Sequence, residues 1–299
     1  MDVKKVVILG GGVLGSQIAY QTAFSGFETV IYDISNPAIE AAKQKVETYP
    51  DQYKKDVNAT DGEIETVNSN LTFTTDLESA ITGANVIIEA VPERMDIKKS
   101  IYQGIKPYVG ENTLVLTNTS TLVPSQLIDF VPNKGRFLAM HFANLIWVHN
   151  VAEIMWGSKT PQSAIDDAKD FAQKIHMLPI LIHKEVSGYV MNSIFLPMIN
   201  AALFLWADNV TDPISIDKNW MVSMGVDRGP FGFLDIMGLN TAVNIEKGFY
   251  QTTKDERYEA VAEKLQEYVD DGKLGVATGQ EFYHYPDPEY QKAEFTKAV

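Results

Sequence analysis

The stretch from Lys4 to Asp33 limits the fold of this chain more tightly than any other. An unbroken apolar run, Val6 to Leu9, has the length and composition of a strand buried on both faces. It runs into Gly10-Gly11-Gly12-Val13-Leu14-Gly15, a helix-like segment from about Val13 to Ser25, and a second apolar strand, Thr29 to Tyr32, closed by Asp33. Strand, glycine turn, helix and strand in that order open a parallel α/β sheet.

The glycines fit G-x-G-x-x-G, and each has a physical task. Gly10 lets the strand turn sharply. Gly12 has no side chain to hold a pyrophosphate off the backbone, and Gly15 lets the helix pack closely on the strand. The free N–H groups at the helix start, around Gly12, Val13 and Leu14, with the positive end of the helix dipole, hold phosphates. Asp33 stands where a carboxylate accepts hydrogen bonds from the adenine ribose and repels a 2′-phosphate, which favours NAD over NADP. A bare glycine motif is weak, but strand, motif, helix, strand and acid in sequence are the context that gives it meaning.

The length, 299 residues, suits two domains and a sizeable core. Twenty-five basic residues against 39 acidic ones leave a net charge of −14, which argues against nucleic acid and anionic membranes as partners. The absence of cysteine excludes disulfides and thiol chemistry and fits a reducing, cytoplasmic setting. Residues 1–15 do not read as a signal peptide. The longest apolar stretch, Val190 to Trp206, is broken by Asn192, Ser193, Pro197 and Asn200, and reads as a buried helix.

After Asp33, Asn36-Pro37 starts a helix that runs to about Thr48, Pro50 interrupts it, and a polar segment follows from Asp51 to Asp61. Strands are expected at Leu71–Thr74, Val86–Ala90, Thr113–Leu116, Arg136–Phe142, Ala152–Trp156 and Leu178–Ile182, with helices between most of them. This alternation predicts a Rossmann-type, doubly wound parallel sheet. After Ser187 the pattern turns helical and stays so to Leu274. The expected division is therefore an NAD-binding domain over 1–185 and a mainly α-helical C-terminal domain over 186–299. The helix at 188–206 is apolar almost all round and needs cover on several sides, part of it from a second subunit. The tail after Tyr285 reads as loosely ordered.

Ligands of such sheets bind beyond the carboxyl ends of the strands. Glu93, the run Asn118-Thr119-Ser120-Thr121, and His141-Phe142-Ala143-Asn144 all fall there, and Glu153 lies inside the next apolar strand. A nicotinamide dehydrogenase needs a base for the hydroxyl proton, and histidine suits that near neutral pH. A glutamate among Val151, Ala152, Ile154 and Met155 is costly to bury without a partner. His141 and Glu153, on successive strands, can supply each other's need, as base and as the carboxylate that fixes its tautomer. Ser120 can donate to a substrate oxygen. No metal site is predicted. His149, His176, His183 and His284 match no such context and read as surface or structural.

With these residues in place, the chain resembles the L-3-hydroxyacyl-CoA dehydrogenase family. The likeness runs from Val6 to Tyr285. It rests on the glycine motif and Asp33, Glu89-Ala90-Val91-Pro92-Glu93 with Lys98, Asn118-Thr119-Ser120, His141-Phe142 with Asn144, Glu153, and Gly188-Tyr189-Val190-Met191-Asn192. Gly229-Pro230-Phe231, Leu234-Asp235 and the run Gly275 to Gly279 with Phe282-Tyr283 complete it. The resemblance implies that His141 is the base and Glu153 its orienting partner, that Ser120 contacts the substrate oxygen, and that Asn144 supports the dyad. It puts Asn192 at the reacting region, although an interhelical hydrogen bond explains that residue nearly as well. It assigns Glu93, Lys98 and Asn118 to the cofactor; a solvated Glu93–Lys98 pair is the plainer alternative. A homodimer built through the helical domain, and a place in fatty acid metabolism, are also implied.

Three departures from the family pattern stand out. The family usually continues Phe-Phe-Asn-Pro after the histidine, whereas this chain has Phe142-Ala143-Asn144-Leu145, then Trp147. Tyr49 and Asp56 stand at positions that in the family hold a serine and a lysine used for CoA. Glu281 replaces a glycine of the tail motif. The expected activity is NAD-dependent oxidation of a 3-hydroxyacyl-CoA, such as 3-hydroxybutyryl-CoA, or the reverse reduction. A free β-hydroxy acid of the gulonate or carnitine type is the second reading, and a non-catalytic NAD-binding structural protein the third.

Overall fold

The computed structural model describes residues 1–297. Two compact units divide at Val190/Met191, a few residues beyond the division expected from the sequence.

The first unit is built on one eight-stranded sheet. Its strands are β1 (Lys5–Leu9), β2 (Glu28–Tyr32), β3 (Leu71–Thr74), β4 (Val86–Glu89), β5 (Leu114–Thr117), β6 (Phe137–Phe142), β7 (Val151–Met155) and β8 (Leu178–Ile182). Their order is β3-β2-β1-β4-β5-β6-β7-β8. Val6 and Ile8 feed the core on one face of the sheet, Val7 and Leu9 the core on the other. Covering both faces is what makes an uninterrupted apolar strand necessary. The order reverses between β1 and β4, which opens a crevice at their carboxyl ends. One expectation is corrected: β7 runs antiparallel to β6, while every other neighbouring pair is parallel. The loop joining β6 to β7 is too short for the crossover that a parallel strand requires.

The helices of this unit are α1 (Val13–Phe24), α2 (Asn36–Val46), α3 (Tyr49–Val57), α4 (Asp61–Asn70), α5 (Leu77–Ile81), α6 (Met95–Ile105), α7 (Pro124–Leu127) and α8 (Gln162–Lys174). Pro50 does not merely interrupt a helix. It sits in the first turn of α3, where its missing N–H has no intrahelical partner to lose. The polar stretch that follows it is helical, and α4 starts at a capping box made by Thr60 and Glu63.

The long helix α9 (Tyr189–Ala207) begins at the unit boundary and leads into the second unit. It is followed by α10 (Pro213–Met224), α11 (Pro230–Met237), α12 (Leu239–Thr253) and α13 (Glu256–Asp270). Their core gathers Leu203, Phe231, Leu234, Leu239, Leu265 and Tyr283. Among the described residues α9 is the one helix long and apolar enough to cross a membrane, by length and composition alone. Its cover is thinner than expected: Met191, Ile194 and Leu205 are exposed. The tail also departs from expectation. Tyr290 and Phe295 are buried and pack their rings against Tyr283 at 4.9 and 5.9 Å between centroids.

Candidate active site

The glycine turn after β1 has the shape a dinucleotide needs. Gly10 adopts φ +106°, and a Cβ there would lie 2.7 Å from the Ala90 carbonyl oxygen. A Cβ on Gly15 would fall 1.9 Å from the Gly10 oxygen, so the helix packs as closely as the motif requires. A Cβ on Gly12 would meet nothing within 4 Å, which leaves its backbone open to a ligand. Asp33 is held at the end of β2 by N–H groups, Gly11 to Oδ2 at 2.8 Å and Ile34 to Oδ1 at 2.7 Å. The adjoining groove, about 810 Å³, is lined by Gly10, Gly12, Asp33, Val91, Ile97 and Ile101 among others. These residues fit NAD, with Gly12 and the start of α1 at its phosphates and Asp33 at its adenine ribose.

Beneath this groove lies a buried polar network on the end of β4. Glu89 accepts four hydrogen bonds, from Lys98 Nζ (2.7 Å), Val91 N–H (3.0 Å), Tyr102 O–H (2.8 Å) and Thr117 O–H (2.7 Å). Lys98 is 1% exposed and also reaches Glu93 at 3.1 Å. Glu93 in turn accepts from the hydroxyls of Thr119 and Thr121 and from the N–H groups of Ser120 and Thr121. Burial pushes the Glu93 carboxyl up, but the Thr119 hydroxyl, Lys98 and Thr121 together outweigh it and hold it at about 2. Glu93 is therefore a carboxylate that fixes the backbone of the loop carrying Ser120. A solvated Glu93–Lys98 pair is excluded. Lys98 does not present its ammonium to the groove; it pairs with Glu89 and Glu93 instead.

Asn118 joins three strand ends. Its N–H donates to the Glu89 carbonyl oxygen at 2.8 Å, and its Oδ1 accepts from Phe142 N–H at 3.0 Å. Ser120 lies just beyond β5, and His141 lies near the carboxyl end of the neighbouring β6. His141 and Glu153 are direct register partners on β6 and β7, and Nδ1 lies 2.9 Å from Glu153 Oε2. An ionised carboxylate can only accept, so Nδ1 carries the proton and Nε2 presents its lone pair. The second carboxylate oxygen, Oε1, accepts from Val190 N–H at 2.9 Å, and Tyr189 stacks on the imidazole. This arrangement can take a proton from an alcohol and return it, with the resulting imidazolium facing a carboxylate.

A family model described as the 3-hydroxyacyl-CoA dehydrogenase NAD binding domain matches residues 5–186, and one for the C-terminal domain of the same enzymes matches 188–285. The chain belongs to the 3-hydroxyacyl-CoA dehydrogenase family. It is an NAD-dependent oxidoreductase of that family. It is 28% identical, over 96% of its length and 99% of the relative's, to a probable 3-hydroxybutyryl-CoA dehydrogenase of Bacillus subtilis. It is likewise 28% identical, over 97% of its length and 93% of the relative's, to a 5-formyl-3-hydroxy-2-methylpyridine 4-carboxylate 5-dehydrogenase of Mesorhizobium japonicum. A solved structure of a diketoreductase acting on dicarbonyl compounds is similar with a TM-score of 0.89 and 42% identity, over 95% of this chain and all of that one.

Against the 3-hydroxyacyl-CoA dehydrogenase pattern, the loop after His141 is rebuilt. Leu145 adopts φ +56°, which a proline at that position cannot. Its N–H donates to Gln17 Oε1 at 2.8 Å, and Gln17 Nε2 donates to Asn144 Oδ1 at 2.8 Å. Asn144 thus ties the loop after β6 to Gln17 of α1. Trp147 packs on Tyr49 and Tyr53 at 5.6 and 5.0 Å between centroids and donates its indole N–H to Asp56 Oδ2 at 2.9 Å. The ammonium of Lys54, on the same helix as Asp56, is paired with Asp61 at 2.7 Å. Asn192 is the fourth residue of α9 and belongs to the second unit.

Sequence reasoning did not find Gln17, Thr119 or Tyr189. A buried glutamine in the nucleotide-binding helix was the available signal for the first. The other two stood inside quoted motifs, but nothing in their local pattern distinguishes a partner of Glu93 or His141 from a packing residue.

Proposed function

We propose that this protein interconverts a β-hydroxy carbonyl compound and its β-oxo partner, with His141 as the group that moves the proton. The observation that carries this reading is the 2.9 Å contact between His141 Nδ1 and Glu153 Oε2. In the oxidative direction the substrate hydroxyl gives its proton to His141 Nε2 as its carbon gives up hydride. NAD, held at Gly12 and Asp33, supplies the acceptor for that hydride. Glu153 stays ionised, holds the imidazole in one tautomer and stabilises the imidazolium. Ser120, on the loop fixed by Glu93, donates to the substrate oxygen. In the reductive direction the His141 imidazolium returns its proton to that oxygen.

The resemblance by itself puts a CoA thioester first among substrates. The surroundings of Trp147 support a different order. Trp147 bonds Asp56 and packs on Tyr49 and Tyr53, and the exposed rim formed by α3 and the start of α4 carries Asp51, Asp56 and Asp61 against Lys54 and Lys55. Several phosphate charges are poorly accommodated beside such a rim on a protein of net charge −14. We therefore take a small β-hydroxy acid or β-dicarbonyl compound as the substrate class, in keeping with what the diketoreductase is described as acting on. The exposed apolar residues of α9, Met191, Ile194 and Leu205, we assign to a second copy of the chain.

The purified protein with NADH, presented with acetoacetate, a simple β-diketone and acetoacetyl-CoA, tests this by loss of NADH absorbance. Turnover of the first two and a loss of about 100- to 10,000-fold in His141→Gln are expected. Turnover of acetoacetyl-CoA alone overturns the substrate class. Equal inactivity of wild type and variant, both binding NADH, leaves a non-catalytic NAD-binding protein. Light scattering without detergent tests the dimer.

A further inference from the structure

The segment that enters α9 touches the loop of Ser120 and both members of the dyad. Ser187 Oγ donates to the Thr121 carbonyl oxygen at 2.7 Å, Val190 N–H donates to Glu153 Oε1 at 2.9 Å, and the Tyr189 ring lies on His141. The two rings are 4.5 Å apart between centroids and inclined by 19°, a face-to-face stack. Tyr189 is fully buried and sits against Ala139, Met155 and Ile182. Its backbone has φ +55°, after Gly188 at +83°. A bulky non-glycine residue in the left-handed region is strained and persists where its surroundings over-determine it.

We propose that Tyr189 is a positioning residue for His141, acting through the face of its ring. The Nδ1–Oε2 bond restrains rotation of the imidazole about Cβ–Cγ but still lets the ring tilt out of the plane of that bond. A second flat surface 4.5 Å away removes that freedom, so Nε2 points in a single direction. The same π face favours the imidazolium that forms when the substrate proton arrives. The hydroxyl of Tyr189 has no part in either effect, so a phenylalanine does the same work and an aliphatic side chain does not.

This inference rests on His141 being the proton-transfer group, and the test keeps the two ideas apart. Tyr189→Phe, Tyr189→Leu and His141→Gln are compared for kcat, KM, NADH binding by fluorescence, and the solvent deuterium isotope effect on kcat. Tyr189→Phe is expected to stay within about twofold of wild type. Tyr189→Leu is expected to lose about tenfold or more in kcat, because a misdirected imidazole weakens a near-attack geometry. Its KM values and NADH affinity should hold, and its solvent isotope effect should rise as proton transfer becomes slower. If Tyr189→Leu does not fold, Tyr189→Met fills the socket without a ring and carries the same expectation. A folded aliphatic variant with wild-type kcat and isotope effect overturns the inference, and so does a Tyr189→Phe as impaired as the aliphatic variant. If His141→Gln is as active as wild type, the proposed function itself falls.

Discussion

Trp147 donates its indole N–H to Asp56 at 2.9 Å, joining residues 91 positions apart in the chain. Trp147 is buried on the aromatic pair Tyr49 and Tyr53, so this bond fixes the loop that follows β6 to α3. Asp56→Ala removes the acceptor and should lower stability by about 1 kcal/mol in urea unfolding. Asp56→Lys also reverses a charge on the rim. It should lower KM for acetoacetyl-CoA by about fivefold, roughly 1 kcal/mol, with KM for acetoacetate unchanged. Equal changes for the two substrates would remove the argument from the acidic rim.

Glu153→Gln keeps the size of the side chain but lets an amide face His141 Nδ1, 2.9 Å from the native oxygen. The amide group can donate to Nδ1 and so hold the wrong tautomer, with the proton on Nε2. A loss of about 10,000-fold in kcat is the upper expectation, by analogy with the carboxylate of a serine protease triad. NADH binding should be unaffected, which fluorescence titration checks. A variant with near-normal kcat would mean that the carboxylate is structural.

Lys98→Met leaves the fully buried Glu89 without its cation and weakens the hold on Glu93. Breaking a buried pair on one side is expected to destabilise the fold by about 3–5 kcal/mol in guanidinium unfolding. At temperatures where the variant is still folded, kcat should fall as well, because Glu93 then grips the Ser120 loop less firmly. A change within about 0.5 kcal/mol, the range of ordinary surface substitutions, would contradict the burial described for this lysine.

Glu281 is buried beside Asp235, which accepts from the N–H groups of Phe282 and Tyr283. Burial first, and then the neighbouring Asp235 carboxylate, push the Glu281 carboxyl well above its ordinary value of 4.5. The folded chain thus keeps a proton that the unfolded chain releases above that value. Its stabilising contribution is complete below about pH 4.5 and drains away as pH rises toward the alkaline range. Glu281→Gln, which keeps the hydrogen-bonding atoms and loses the titration, should flatten the fall in melting temperature between neutral and alkaline pH. Parallel melting curves for the two proteins across that range would remove Glu281 from the linkage.

Much of the fold could be read from local pattern. Both-face burial leaves apolar runs in β1, β4 and β5, and the glycines of the first turn answer to steric demands visible in their spacing. The antiparallel direction of β7 was not legible, because strand composition does not encode polarity. Pro50 misled for a similar reason: a proline ends one helix and starts another equally well, and position relative to the cap decides. The order of the tail was hidden because Tyr290 and Phe295 are isolated apolar residues whose burial depends on Tyr283, not on their neighbours.

The amino-acid sequence by itself determined the nucleotide-binding turn, the succession of strands and helices, and the nomination of His141 and Glu153, since each follows from residue types at short spacing. Tertiary structure alone decided that β7 turns back to set those two residues opposite each other, that Lys98 lies buried between two carboxylates, that Tyr189 stacks on His141, and that Trp147 meets Tyr49, Tyr53 and Asp56. The reason is physical. Short-range pattern reports which face of an element is apolar, whereas a hydrogen bond or a ring stack between distant residues exists only once the sheet register and the loop paths have brought them within a few ångströms.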